Sequence, residues 1–217
     1  MSGRVAGVDP GPGLTSAEWR GIAYCLLWAS GAWLSVYFGI WLAMGTTSAL
    51  LGVAAVTFEG RAVLGRGLYS RVWLIGLPAG LLMAGGTALL FGPMTSAFPA
   101  LTEDVERLYA TFRGPGLAVT LLLMPLVVTF EEIVWRGAVY EALRGRISWI
   151  PTVLVGTAAY SVALVPIGSP ALVLTAIGAG LCWNLLRACT DSLMAALVAH
   201  LVWDYAVLVV FDVTGFG

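Results

Sequence analysis

Long uncharged stretches alternate along the chain with short polar segments, and their lengths predict membrane-spanning helices. Residues 21–58 contain no charged side chain. A helix of about 17 to 25 apolar residues crosses the hydrocarbon core of a bilayer, so this stretch is too long for one span. The GTTS segment at 45–48 supplies a plausible turn within it. We predict spans at 21–43, 47–58, 72–92, 116–139, 149–166, 170–187 and 192–211, with 47–58 short enough to be re-entrant.

The composition agrees with this pattern. Hydrophobic residues make up 59% of the chain, charged residues make up 11%, and the mean hydropathy is +0.92. Soluble domains carry about 25% charged residues, and backbone amides in lipid have to be satisfied within helices. We therefore predict an all-α fold, a polytopic transmembrane bundle of about six or seven helices. The lipid bilayer is thus the first expected partner.

The charge distribution predicts an orientation and excludes one class of partner. A net charge of −1 without a dense basic cluster argues against nucleic-acid binding. Segment 59–71 contains three arginines and segment 144–146 contains two, whereas 103–113 holds three acidic residues and two arginines. The positive-inside rule predicts that the first two segments face the cytoplasm and that 103–113 and Asp212 lie outside. We expect a multi-pass protein of the inner (plasma) membrane with a cytoplasmic N-terminus, and its arginine-only basic residues favour a GC-rich bacterial source.

A few ionisable residues remain inside predicted spans, where each costs at least about 2.5 kcal/mol near the bilayer centre. Such residues usually face a bundle interior or a wet cavity. They fall on two helices: Glu131, Glu132, Arg136 and Glu141 on one, and His200 and Asp204 on the other.

The stretch TFEEIVWRGAVYEAL at 129–143 sets two carboxylates beside a guanidinium. Glu132 and Arg136 are four residues apart, so they share a helix face and can neutralise one another. Glu131 points about 100° away from Glu132 and has no such partner. A buried carboxylate of this kind is a candidate general base, although a purely structural role for the cluster is the alternative.

His200, the protein's one histidine, precedes Asp204 by one helical turn. A lone histidine on an apolar helix is more often a hydrogen-bonded core residue than a functional one. Here the aspartate one turn later and the acidic helix elsewhere favour function. Asp204 can orient the imidazole through a ring N–H or add a polar group to a shared cavity.

EEIVWR fits the EExxxR signature, and HLVWD fits the HxxxN/D signature, of the CPBP family of intramembrane endopeptidases. The chain resembles this family, which includes the CAAX prenyl endopeptidases and the bacterial Abi proteins, over roughly residues 116–212. The first twenty residues are polar and contain Gly and Pro, so we predict a polar tail at 1–20, followed by N-terminal spans and loops at 21–115. The resemblance implies a catalytic core at 116–212, and all of these parts belong to one membrane domain.

The resemblance also implies roles for the charged residues. Glu131 matches the glutamate expected to activate water, with Glu132 and Arg136 supporting its placement. His200 and Asp204 match the pair expected to stabilise the oxyanion. The expected substrate is a membrane-bound or lipidated peptide or protein.

One family element is missing from the chain. Its FxxxH histidine, which helps the glutamate or binds zinc, corresponds to the stretch YSVALVPIGSP, where Pro166 occupies the histidine position. A zinc site normally needs three protein ligands, and without a second imidazole we expect no metal or other cofactor. On the protease interpretation, Ser161, Asn184 or a bound water is expected to replace the lost imidazole.

Three functions stay open at this point. The chain is a metal-independent glutamate protease, a family member that has lost catalysis and acts in binding or immunity, or a transporter whose buried charges line a polar pathway. We favour the protease. It requires a carboxylate of Glu131 or Glu132 within about 8 Å of the His200 ring, a distance that water can bridge.

Overall fold

The fold is a bundle of helices. The computed structural model describes residues 13–65 and 71–210. In this part of the chain, seven helical segments are long and apolar enough to cross a membrane. They are Ser16–Phe38, Ile40–Glu59, Gly76–Ala97, Leu117–Arg144, Trp149–Ile167, Pro170–Thr190 and Leu193–Val210. The predicted all-α transmembrane bundle is confirmed.

In residues 13–65 and 71–210, nine α-helices build these segments and one shorter element. They are α1 (Ser16–Phe38), α2 (Ile40–Glu59), α3 (Gly76–Ala97), α4 (Ala100–Arg113), α5 (Leu117–Glu132), α6 (Tyr140–Arg144), α7 (Trp149–Leu164), α8 (Pro170–Thr190) and α9 (Leu193–Tyr205). Turns of 3-10 helix lie at Gly60–Leu64, Arg71–Ile75 and Val165–Ile167. A π-helical turn, Ile133–Val139, joins α5 to α6, and a second, Ala206–Val210, continues α9.

The boundary between the first two helices corrects the prediction at 45–48. The chain breaks at Gly39, whose φ of 81° and ψ of 149° favour glycine. The polar GTTS segment lies inside α2, where the Ser48 hydroxyl donates to the Gly45 carbonyl at 3.0 Å and so needs no turn. α2 is therefore a full span and not a re-entrant segment. α1 begins at Ser16, earlier than predicted, because Thr15 and Glu18 form a capping box.

Helix α4 lies in a segment for which only a loop was expected. Its acidic Glu103 and Glu106 are exposed, whereas Asp104 and Tyr109 are buried. Asp104 accepts hydrogen bonds at 2.8 Å from the Ser169 hydroxyl and from a backbone amide in the first turn of α8. A carboxylate at a helix N-terminus is favourable. This amphipathic helix therefore closes one end of the bundle.

The arginine-bearing loops gather at the opposite end. Three ion pairs connect the elements there: Arg20–Glu59 at 2.5 Å, Arg146–Glu18 at 3.1 Å and Arg144–Asp191 at 2.6 Å. At the α4 end, by contrast, the Trp41 indole on α2 donates to the Phe112 carbonyl. The sidedness agrees with the charge-based prediction, although Arg66 and Asp212 lie outside the described residues. Which end faces the cytoplasm stays a prediction.

A fully buried guanidinium organises the arginine end. Arg187 donates to Glu141 at 2.5 Å, to Asp191 at 3.0 Å and to the Arg136 carbonyl at 3.0 Å. Burial alone would raise the pKa of Asp191, but its hydrogen bonds and charge interactions with Arg144 and Arg187 hold that pKa below its usual value. Glu141, one of the predicted intramembrane charges, therefore belongs to this network.

Candidate active site

The acidic motif lies at the junction of α5 and the π-helical turn that follows it. Arg136 Nη1 lies 3.1 Å from Glu132 Oε1, and both side chains are fully buried. The spacing of four residues brings them together as predicted. π-helical turns are uncommon and occur often at functional sites.

His200 connects the second motif to the first. Its Nδ1 lies 2.8 Å from Glu132 Oε1, so the predicted convergence of the two charged helices is confirmed. Its Nε2 lies 3.6 Å from Asp204 Oδ2, which is beyond hydrogen-bond distance. The ring stacks on Trp183, with centroids 3.6 Å apart and planes at 22°. Two contacts and the stacking therefore fix the imidazole.

Glu131 has a different hydrogen-bond partner from Glu132. It is only partly buried, and it accepts a hydrogen bond from the hydroxyl of Tyr160 on α7. Sequence reasoning missed Tyr160. A single tyrosine in an apolar helix is usually an ordinary core residue, and its one signal is its place in the stretch where the family histidine was expected.

A cavity of about 220 Å³ lies beside these residues and is lined by Glu131, Tyr160, Trp183, His200 and Asp204. The rest of its wall is mainly apolar, and α4 contributes side chains that cover one end. The volume can hold several water molecules. The three predicted groups Glu131, His200 and Asp204 therefore share one internal space.

A second cavity adjoins the first. It measures about 450 Å³ and lies between α3 and α8. Phe91 of α3, Thr175 of α8 and Trp203 of α9 line both cavities. Apolar space along α3 and α8 thus lies next to the cavity that contains the acidic residues.

The residues expected at the missing histidine are not next to Glu131. Pro166 belongs to the 3-10 turn Val165–Ile167, which packs against α1. The Ser161 hydroxyl donates to the Thr157 carbonyl at 2.9 Å, and the Asn184 amide donates to the Thr157 hydroxyl at 3.0 Å. In the described structure none of the three lines the cavity that contains Glu131. The prediction that Ser161 or Asn184 takes the imidazole's place is therefore wrong, because both are bonded elsewhere.

Aromatic rings surround the buried guanidinium. Arg136 Cζ lies 4.5 Å from the Tyr160 ring centroid and 5.0 Å from that of Trp183. These cation–π contacts matter because Arg136 Nε and Nη2 have no hydrogen-bond partner among the described residues. A Cβ at Gly180 would lie 3.3 Å from Nη2 and 3.1 Å from Tyr160 Cδ1. Gly180 therefore leaves the space that this arrangement needs.

The donor set does not fit a protein-bound metal. Within residues 13–65 and 71–210, no three His, Cys, Asp or Glu side chains are grouped so as to hold an ion. The imidazole nitrogens of His200 both face carboxylate oxygens. No step below is assigned to a metal.

The fold and the site define a polytopic membrane protein with a buried carboxylate–guanidinium–imidazole cluster beside an internal cavity. Residues 113–206 match the family model described as type II CAAX prenyl endopeptidase Rce1-like. This part of the chain, which holds every predicted site residue, is thus similar to the Rce1-like family of proteases. No curated protein and no solved structure matches the chain.

Proposed function

We propose that the protein is an intramembrane endopeptidase that cleaves a membrane-associated or lipidated peptide or protein with water activated by Glu131. One observation carries the proposal. Glu131 shares a cavity with His200 and Asp204 inside the segment that matches a protease family.

Glu131 acts as the general base. It takes a proton from water while the water oxygen attacks the scissile carbonyl carbon, and it later gives that proton to the leaving amine as the C–N bond breaks. A base has to reach the cavity, and Glu131 lines it whereas Glu132 is fully buried behind it. The ion pair of Glu132 with Arg136 holds the end of α5 in place.

His200 faces the negative charge that develops on the carbonyl oxygen. Its Nδ1 is engaged by Glu132 at 2.8 Å, whereas its Nε2 has no hydrogen bond with Asp204. A ring fixed on one side can present its other nitrogen to an oxyanion, and a preorganised donor of this kind is effective in a site of low dielectric constant. The charge of Asp204, 3.6 Å from Nε2, stabilises the charged form of the ring during the reaction.

The walls of the two cavities support this substrate class. They are mainly apolar and lie along α3 and α8, so they suit a lipid-attached or membrane-embedded segment next to the scissile bond. The name of the matching family makes a peptide with a prenylated CAAX terminus a reasonable probe. We place the reaction in the inner membrane and assign it no cofactor.

The proposal is tested with purified protein in lipid nanodiscs and a quenched fluorescent peptide that ends in a farnesylated CAAX sequence. Glu131→Gln should slow cleavage by about 10²- to 10⁴-fold, because a base contributes that much. Glu106→Gln on the exposed face of α4 is the matched control and should cleave like wild type.

Cleavage by Glu131→Gln at the wild-type rate would remove Glu131 as the base. Loss of activity on chelation that zinc restores would contradict the metal-free chemistry. Should wild type bind the peptide without cleaving it, and should no membrane peptide accumulate in cells that lack the protein, a binding role would replace the protease.

A further inference from the structure

Two adjacent carboxylates at the end of α5 receive different donors. Glu132 contacts Arg136 and His200, whereas Glu131 has the hydroxyl of Tyr160 as its hydrogen-bond donor within residues 13–65 and 71–210. Arg136 and His200 therefore both contact Glu132, the carboxylate that does not line the cavity. The carboxylate that lines the cavity is held by a phenol.

The ring that carries this hydroxyl is fixed on several sides. Tyr160 is 6% exposed. It makes edge contacts with Trp135, at 5.3 Å between centroids, and with Trp183, at 6.5 Å. The Arg136 guanidinium lies 4.5 Å from the ring centroid. Because these contacts restrict both side-chain torsions, the position of the oxygen is set by the surrounding structure.

We propose that Tyr160 is the positioning residue for Glu131, an inference that rests on the proposed function. A phenol donates one proton, and its bond to Oε1 fixes the rotation of the carboxylate about its last torsion. The second oxygen then stays available to accept a proton from water. Misplacement of a reacting group by about 1 Å can slow a reaction by about 10²-fold, so fixing this rotation has a direct effect on the rate.

The position of Tyr160 in the chain supports this role. It lies on α7, six residues before Pro166, a distance of about 9 Å along a helix. The 3-10 turn that contains Pro166 packs against α1, and Pro166 does not line the cavity that contains Glu131. The stretch in which the resemblance implies an imidazole beside the base therefore does supply a donor to Glu131, from a different residue type at a different position.

The first test needs no substrate. 3-Fluorotyrosine is introduced at position 160 alone, and its ¹⁹F resonance is recorded in nanodiscs for otherwise wild-type protein and for Glu131→Gln. Replacing a carboxylate acceptor by an amide changes the electron density of the phenol, so the resonance should shift. The same label at position 24, whose buried hydroxyl has no partner among the described residues, should not respond. An unchanged resonance at position 160 would overturn the pairing.

The second test measures cleavage of the farnesylated peptide. Tyr160→Phe keeps the ring and its aromatic contacts but removes the donor, so kcat should fall by about 10- to 100-fold while KM changes less than about 2-fold. Tyr24→Phe, which removes a buried hydroxyl elsewhere, should keep both constants. The double variant Glu131→Gln/Tyr160→Phe should be no slower than Glu131→Gln alone, because Tyr160 acts through Glu131.

The two tests separate the inference from the proposed function. A ¹⁹F shift in a protein that cleaves nothing would support the Tyr160–Glu131 pair and refute the protease. Cleavage that depends on Glu131 but is unchanged in Tyr160→Phe would support the protease and refute the positioning role. Additive losses in the double variant would also overturn it, because they would give Tyr160 an effect of its own.

Discussion

Glu131 and Glu132 are consecutive residues with separate surroundings, since a helix turns about 100° between neighbours. Glu132 is fully buried next to Arg136 and His200. Glu131 is partly exposed to the cavity and bonded to Tyr160. The same chemical group can therefore hold the structure together at one position and face a reactant at the next.

This difference predicts unequal effects on stability. Glu132→Gln leaves Arg136 buried without its counter-charge, and removing one partner of a buried pair costs about 3 to 5 kcal/mol. Glu131→Gln changes only the acceptor of a hydroxyl bond and should cost about 1 kcal/mol or less. Thermal unfolding in detergent, followed by tryptophan fluorescence, measures both.

The two isosteric variants are controls for one another. Equal shifts in the unfolding midpoint would contradict the assignment of Glu132 as the structural carboxylate. A larger loss for Glu131→Gln would reverse the roles of the two residues.

Some residue contacts could be read from the sequence and others could not. The Glu132–Arg136 pair and the closeness of His200 to Asp204 follow from a spacing of four on a helix. Contacts between helices depend on packing that no local pattern specifies. The bond from Tyr160 to Glu131 joins residues 29 apart, and an uncharged residue in an apolar helix carries no signal of it.

At the scale of elements, α3 packs closely against α9, the helix that carries His200. The stretch GLPAG at 76–80 places two glycines one turn apart against α9. A Cβ at Gly80 would lie 2.6 Å from the Ala199 carbonyl oxygen and 2.7 Å from Val202 Cβ. Small residues at this spacing let membrane helices approach closely, and here the contact is next to His200.

Gly80→Ala should therefore push α3 from α9 and destabilise the bundle by about 1 to 3 kcal/mol, the usual range for overpacking. A displacement of His200 should also lower cleavage of the farnesylated peptide. Gly85→Ala on the same helix is the matched control, because no atom lies within 4 Å of its added Cβ. Unfolding midpoints in detergent report the difference, and equal midpoints would show that the close approach does not matter.

The sequence predicted the ends of helices and the amphipathic helix α4 least well. Hydropathy finds long apolar runs well, but Gly39 ends α1 through its backbone conformation, and the average polarity of α4 conceals its apolar face. The Thr15–Glu18 capping box was the one local signal that marked the true start of α1.

At the scale of the whole molecule, the uncharged runs were sufficient to predict a bundle of about six or seven spans, because lipid forces each long apolar stretch into a helix. The uncharged runs do not, however, predict which helices pack against each other. α2 packs on α5 and α3 packs on α9, so the N-terminal helices enclose the segment that matches the family. The division into 1–20, 21–115 and 116–212 stays a prediction.

The last prediction concerns which end of this bundle faces the cytoplasm. Segments 59–71 and 144–146 are arginine-rich, and the ion pair of Arg146 with Glu18 places the start of α1 at the same end. The positive-inside rule then assigns that end to the cytoplasm. With the three native cysteines replaced by serine, Glu106→Cys should react with an impermeant maleimide in intact cells. Arg146→Cys should react only after the membrane is permeabilised.

Both positions are exposed, so accessibility differs only through the membrane. Labelling of Arg146→Cys in intact cells, with Glu106→Cys labelled only after permeabilisation, would show the opposite orientation and contradict a cytoplasmic N-terminus. The result also places the cavity in the membrane. Because α4 lines the cavity that contains Glu131, the side on which Glu106→Cys is labelled is the side of the membrane to which the α4 end of that cavity is nearer.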